Sequence, residues 1–384
     1  MITYEFLQNY WWFIISLLGG LLVFLLFVQG GQSMIASLSK TEDEKKLVIN
    51  ALGRKWEYTF TTLVVFGGGF FASFPFFYAI SFGGAYWVWM IILFSFVVQA
   101  VSYEFQSKPG NVFGPKTYRT FLFLNGVIGT FMLGVAVATF FTGSEFTVNK
   151  MNLVNFGSQT NTMSGWDNPL HGIEALGNVR NWFLGLAVLF LSRTMASLYY
   201  VNRLDHDVLH ERSRRYTLYN GAPFVVFFLA FLIWTLVAEG YAVNPDTKEI
   251  FMEPYKYLNN FIEMPVVLVL FLLGVLSVLW GIFATVFNKT YNKGIWFAGA
   301  GTVATVTMLF LVAGYNNTAY YPSYTNLQSS LTVQNSSSSE LTLGVMAIVS
   351  LLIPIVLGYI IYAWRALEKK KLHLDDLHKD GHAY

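Results

Sequence analysis

Two carboxylates and one guanidinium are the side chains of this sequence whose type and place could do chemistry. Glu57 closes the run Arg54-Lys55-Trp56-Glu57, Glu104 follows Tyr103, and no Asp, Glu, Lys or Arg occurs between them at residues 58–103. That stretch is too long for one membrane helix, and Phe82-Gly83-Gly84 in its middle signals a turn, so it predicts two helices in a tight hairpin. Both acids then emerge at the same end of one helix pair. A carboxylate partly withdrawn from water binds protons nearer neutral pH, which suits it to proton uptake. The same two acids also suit ordinary interfacial ion pairs, Glu57 with Arg54 or Lys55 and Glu104 with Lys108. Arg193 is the only strongly ionised side chain well inside a predicted span, which marks it for an intramembrane ion pair, for snorkelling or for a polar cavity.

Other chemistry is excluded by residue type. The chain has no Cys, which removes disulfides, thiolate metal sites and Fe–S clusters. Its six His, at 171, 206, 210, 373, 378 and 382, fall in connections or the tail, so no intramembrane His offers a haem an axial ligand. His206 and His210 lie beside Asp205 and Asp207, but Arg212, Arg214 and Arg215 disfavour a bound cation there. P-loop, dinucleotide fingerprint and nucleophile elbow are missing. The sequence therefore predicts no metal, no cofactor and no catalytic residue on this chain.

The elements that position these residues follow from where charge is absent. Charged residues make up 12% of the chain and AVILMFWYC 55%. Such a composition is far from that of a soluble enzyme, a disordered chain or a nucleic-acid binder. A span needs about 20 apolar residues to cross roughly 30 Å of hydrocarbon. Charge-free runs at 6–39, 58–103, 120–144, 216–238, 264–288, 294–339 and 341–364, with 181–201 broken only by Arg193, predict nine spans. They are roughly 11–33, 59–81, 85–103, 120–142, 181–201, 216–238, 264–287, 294–315 and 341–364, in one transmembrane domain over 1–364 followed by a tail at 365–384. Residues 316–339, rich in Ser, Thr, Asn and Tyr, read as an ordered loop. The first span lacks the features of a cleaved signal peptide and is expected to stay in the membrane. Lys and Arg number nineteen in the connections at 40–57, 104–119, 202–215, 288–293 and the tail, against four in the alternate ones. The expectation is an all-α integral membrane protein with its N-terminus outside and its C-terminus cytoplasmic. Gln29, Gln32, Gln99 and Asn125 either line water or bond between helices, and the Gly pairs and triplet at 19–20, 30–31 and 67–69 allow close packing.

Several stretches together resemble a known family. Tyr4-Glu5 with Trp11-Trp12, Trp56-Glu57, Tyr103-Glu104 with Ser107-Lys108, and above all Ser330-Leu331-Thr332 with Ser338-Ser339-Glu340-Leu341-Thr342-Leu343 are similar to subunit II of the cytochrome bd-type quinol oxidases. The likeness runs from end to end. It implies a haem-free subunit in the bacterial inner membrane that supports subunit I, where haems b and d sit, quinol is oxidised and O2 is reduced to water. It also implies a cytoplasmic proton path through Trp56, Glu57 and Glu104, with Glu where the family usually has Asp. Further implied partners are membrane lipids, small single-span subunits and a quinone held as a structural lipid, as in some relatives. Two departures stand out. The family's Asp-Gly-Phe-Asp near the end of span one is replaced by Gly30-Gly31-Gln32-Ser33, and its Arg-Pro near the end of span three by Gln99-Ala100. The competing reading is a secondary transporter or channel, with a solute site where Pro75 or Pro354 breaks a helix.

Overall fold

A computed structural model describes residues 3–53, 55–149, 163–369 and 371–373. Seven helices among the described residues are long and apolar enough to cross a membrane, and nine are reached if each of two bent pairs is one span. In chain order the helices are α1 (Tyr4–Leu25), α2 (Phe27–Gln32), α3 (Glu42–Gly53), α4 (Trp56–Ser73), α5 (Tyr86–Phe105), α6 (Gly114–Leu124), α7 (Thr130–Thr142), α8 (Val179–Arg203), α9 (Asp207–Val237), α10 (Lys256–Glu263), α11 (Pro265–Phe287), α12 (Gly294–Gly314), α13 (Glu340–Ser350) and α14 (Ile353–Leu367). Three small antiparallel hairpins join them at one end: β1 (Phe146–Val148) with β2 (Ser164–Trp166), β3 (Glu239–Val243) with β4 (Ile250–Pro254), and β5 (Ala319–Tyr321) with β6 (Leu331–Thr332). Residues 316–339 are thus an ordered connection that includes a hairpin.

The spans differ from the predicted ones mainly at their ends and breaks. The first continuous helical stretch starts at Tyr4, with Thr3 Oγ1 accepting from Phe6 N (3.2 Å), and runs through α2 to Gln32. The sixth starts at Asp207, inside the stretch read as a connection, so His206 caps α9 and His210 lies within it. Helical hydrogen bonding is indifferent to where hydrocarbon ends, so charged turns prolong helices beyond an apolar run. The second span is broken at Phe74 because Pro75 offers no N–H to the preceding turn, and Tyr78–Gly84 continues as π-helix. The fourth carries a π-helical segment at Asn125–Gly129, and the last bends by 40° between α13 and α14, where Pro354 opens the second half.

Small residues set the closest helix approaches. A Cβ on Gly274 would stand 3.0 Å from the Gly301 carbonyl, and one on Gly281 2.6 Å from that of Gly294, so α11 and α12 touch backbone to backbone. Gly134 and Gly185 do the same for α7 and α8, where the Cβ-to-Cα distance would be 2.7 Å. The tightest against backbone is Gly30 of α2, whose Cβ would lie 2.1 Å from the Ser192 carbonyl of α8. Gly68, by contrast, has nothing within 4 Å. The triplet at 67–69 is therefore only partly a packing device.

The four amides bond to one another. Gln29 Nε2 donates to Gln99 Oε1 (3.1 Å), Gln99 Nε2 to Gln32 Oε1 (2.7 Å), Gln32 Nε2 to Asn125 Oδ1 (2.8 Å) and Asn125 Nδ2 to Ser95 Oγ (3.2 Å). All four amides are at most 1% exposed. This ladder ties α2, α5 and the π-helical segment together.

Two outcomes are expected. Gly30→Ala should sharply reduce recovery of folded protein from membranes, because the overlap is with backbone, whereas Gly68→Ala should leave recovery unchanged. Gln32→Leu should lower stability by about 1–3 kcal/mol, read as a fall in thermal midpoint, because it strands two amide partners in a dry site.

Candidate functional site

The two acid-bearing helix ends are joined by the residues that precede the acids. Trp56 is the first residue of α4 and Tyr103 lies in the last turn of α5; their rings stack with centroids 6.0 Å apart and planes 7° from parallel. Tyr103 is buried and Trp56 nearly so, while Glu57 and Glu104, each one residue further on, are exposed on the chain's surface. Glu104 meets Lys108 at 3.8 Å, with both side chains more than half exposed, so this contact adds little stability. Trp56 Nε1 is buried with no acceptor among the described residues. The sequence-predicted residues Trp56, Glu57 and Glu104 thus share one end of one helix pair.

Lys55 is not available to Glu57 in the way the sequence suggested. It is 1% exposed, with Nζ 3.6 Å from Glu368 Oε1 and 3.8 Å from the centroid of the Trp364 ring. Arg54, the other expected partner, lies outside the described residues. Arg203, the last residue of α8, caps α14 by donating to the carbonyls of Leu367 (2.9 Å) and Glu368 (3.4 Å). Glu42 pairs with Arg119 and Glu44 with Arg212, each at 2.8 Å. The Lys- and Arg-rich connections therefore meet at one end of the bundle, opposite the hairpins. Most of the predicted tail at 365–384 lies outside the described residues.

Arg193 is half-buried on α8, its Nε is buried without an acceptor, and no carboxylate among the described residues forms an ion pair with it. The Tyr216 phenol of α9 is its titratable neighbour. Sequence reasoning passed over Arg180, which it counted in a connection. It lies in the first turn of α8, 7% exposed, with its guanidinium 5.9 Å from the Phe231 ring centroid. Lys55 and Glu368 were also missed as a pair. A lone cation at a predicted helix start, or an acid just after the final apolar run, was the only available signal.

No group of three or more His, Asp and Glu among the described residues could hold a metal ion. A cavity of about 150 Å³ lies between α1, α7, α8, α9, α11 and α12 and is lined by side chains such as Leu22, Leu133, Leu184, Phe224 and Val278. A haem does not fit its donor set, because no lining residue supplies an axial nitrogen, sulfur or phenolate.

Residues 7–367 match the family described as cytochrome bd terminal oxidase subunit II. The chain is 27% identical to the probable cytochrome oxidase subunit 2 of Haemophilus influenzae, over 95% of each chain. It is 25% identical to the cytochrome bd-I ubiquinol oxidase subunit 2 of Escherichia coli K12, over the full length of both. The cytochrome bd ubiquinol oxidase subunit 2 of Bacillus subtilis is 26% identical over 95% of this chain and 97% of its own. In fold it is similar to a chain of the bd oxidase from Geobacillus thermodenitrificans, with a TM-score of 0.61 and 15% identity over 95% of this chain and 99% of that one. The chain, a multi-pass protein of the bacterial cell membrane and a subunit of an oxidoreductase complex, belongs to the cytochrome bd terminal oxidase subunit II family.

Proposed function

We propose that this chain is the haem-free half of a quinol:oxygen oxidoreductase, packed in the bilayer against a haem-bearing subunit I and supplying it with a proton-uptake path from the cytoplasm. The bound haems b and d of that partner would supply the redox chemistry by which quinol is oxidised and O2 reduced to water. Small single-span subunits and a structural quinone complete the assembly on this reading. What this chain's own residues do is hold and hand on protons at its charged end.

One observation carries the reading: the Trp56–Tyr103 stack holds the two acid-bearing helix ends together and leaves both carboxylates open to the surface. Carboxylates at the mouth of a low-dielectric helix pair exchange protons with water and pass them along hydrogen-bonded neighbours, which amides cannot do without tautomerising. The positive-inside count places this end at the cytoplasm, where protons for oxygen reduction are drawn. Nearby, α13 and α14 leave long apolar rows exposed, among them Ile348, Ile355 and Tyr359, which a large apolar partner would cover. The Arg193 guanidinium has no acceptor among the described residues, which suits a counter-charge from outside the chain. The transporter reading is weaker, because the helix break at Phe74 is walled by the rings of Trp12, Phe70 and Tyr320.

On this reading Glu57→Gln and Glu104→Gln leave the complex assembled and slow oxygen consumption several-fold; normal turnover in both variants would eliminate the proton path. Glu57→Asp keeps a titratable acid and should be mild. Trp56→Ala removes the stack and should lower turnover at unchanged haem content, while Trp56→Phe preserves an aromatic plane and should restore most of it. Co-purification of the chain with a haem-bearing membrane polypeptide, seen in the absorption spectrum of the preparation, checks the partnership itself.

A further inference from the structure

We infer that Arg193 binds the phosphate of a phospholipid in the leaflet at the charged end, with an acyl chain of that lipid lying along the aromatic groove between α8 and α9. The inference rests on the reading that the Arg193 counter-charge comes from outside the chain, and it names that counter-charge.

Depth is the first argument. Arg193 looks intramembrane by sequence, yet α9 is 31 residues long, or about 46 Å, while the hydrocarbon takes about 30 Å. Counting about 20 residues back from Val237 puts the edge of the hydrocarbon near Thr217. The turns before it carry Glu211, Arg212 and Arg215, and the Arg215–Glu211 pair is about two-thirds exposed. The link between the two antiparallel helices is only residues 204–206, and Arg193 lies ten residues before the end of α8 as Tyr216 lies nine after the start of α9. The contacts Phe190–Phe227, Phe183–Trp234 and Thr194–Gly221 set the register of α8 on α9, so the Arg193 backbone lies level with Gly221–Phe224, about 6–10 Å inside Thr217, with the Tyr216 phenol as its neighbour on the side of the charged end. Its long side chain spans most of that distance by snorkelling toward the charged end, which brings the guanidinium to the phosphates.

Demand is the second argument. The Arg193 guanidinium has no hydrogen bond and no ion pair among the described residues. A guanidinium at a membrane edge with every donor unused carries a free-energy cost that an external anion removes. Its fork geometry matches a phosphate with two parallel bonds.

The groove is the third. Phe183, Leu186, Phe190 and Arg193 recur at helical spacing as a partly exposed stripe of α8. Phe227 of α9 stacks on Phe190 with centroids 5.8 Å apart and planes 11° from parallel, and Trp234 stands 6.0 Å from Phe183. The stripe is apolar along its whole length and ends in a single cation. That pattern complements one lipid tail and one anionic head, whereas a partner carboxylate would leave the apolar part unexplained.

The test uses the whole oxidase complex purified in detergent, with phospholipid phosphorus counted per complex and thermal midpoint followed during titration with dioleoylphosphatidylglycerol. Wild type should retain one more phospholipid than Arg193→Gln, and the variant should need about tenfold more lipid for half-maximal stabilisation. Arg193→Lys should fall between them. Dioleoylglycerol, with the same chains and no phosphate, should not stabilise wild type, nor should inorganic phosphate. That comparison needs no variant and decides the matter if Arg193→Gln fails to fold. Equal stabilisation by dioleoylglycerol, equal stabilisation by inorganic phosphate, or an unchanged lipid count in Arg193→Gln each overturns the inference. Loss of the haem-bearing chain from Arg193→Gln with lipid retained would assign the counter-charge to a partner carboxylate, refuting the lipid while keeping the outside counter-charge. No change in either lipid or partner would refute both.

Discussion

The contact between Gly30 and the Ser192 carbonyl, where a Cβ would have only 2.1 Å, is the constraint from which the geometry of the charged end descends. It presses α2 onto the central helix α8 and so fixes which way Gln29 and Gln32 face. Those amides then hold Gln99 of α5 from both of its polar atoms. Four residues on, one helical turn, stands Tyr103, whose rotation about the α5 axis is thereby set. Its stack on Trp56 joins α5 to α4, and the two exposed acids follow from that joint.

Every group in the ladder is an amide or hydroxyl, so this part of the membrane interior is polar without being charged. Neutral amides suit such a site because a buried, unpaired charge would cost far more than these hydrogen bonds return. Where the resembled family carries acids near the end of the first span, this chain has a hydrogen-bonded clamp. The sequence-predicted acids Glu57 and Glu104 stand instead at the edge, exposed on the chain's surface. The ladder serves by holding the helices that present them.

The charged end is otherwise organised as a set of clasps between connections distant in sequence. Lys55 reaches Glu368 and the Trp364 ring, Arg203 caps α14, and Glu42 and Glu44 each take an Arg from another connection. At the far end, Tyr324 donates to Glu145 (2.7 Å) and Gln328 bonds both the N–H and the carbonyl of Ile250, which sews the hairpins together. Long apolar helices with bare lateral faces are thus fastened at their two ends. The middle is left to small-residue contacts and to whatever surrounds the chain.

Charge-free runs and the skewed placement of Lys and Arg determined by themselves the helical class and the number of candidate spans, and the absence of Cys and of mid-span His led to the expectation of no haem on this chain. These are properties of one-dimensional composition, because a bilayer tests each segment almost independently for apolar length. That Glu57 and Glu104 emerge at one end of one helix pair was legible for the same reason: a charge-free hairpin must return to the side it left. What the tertiary structure alone decided are the contacts between segments. That Lys55 turns from Glu57 to Glu368, that four scattered amides form one ladder, and that the Arg193 guanidinium finds no acceptor among the described residues all depend on how helices rotate and how far they overhang the membrane. Rotation and overhang come from close packing at residues such as Gly30, and neither leaves a mark in composition or in the length of an apolar run.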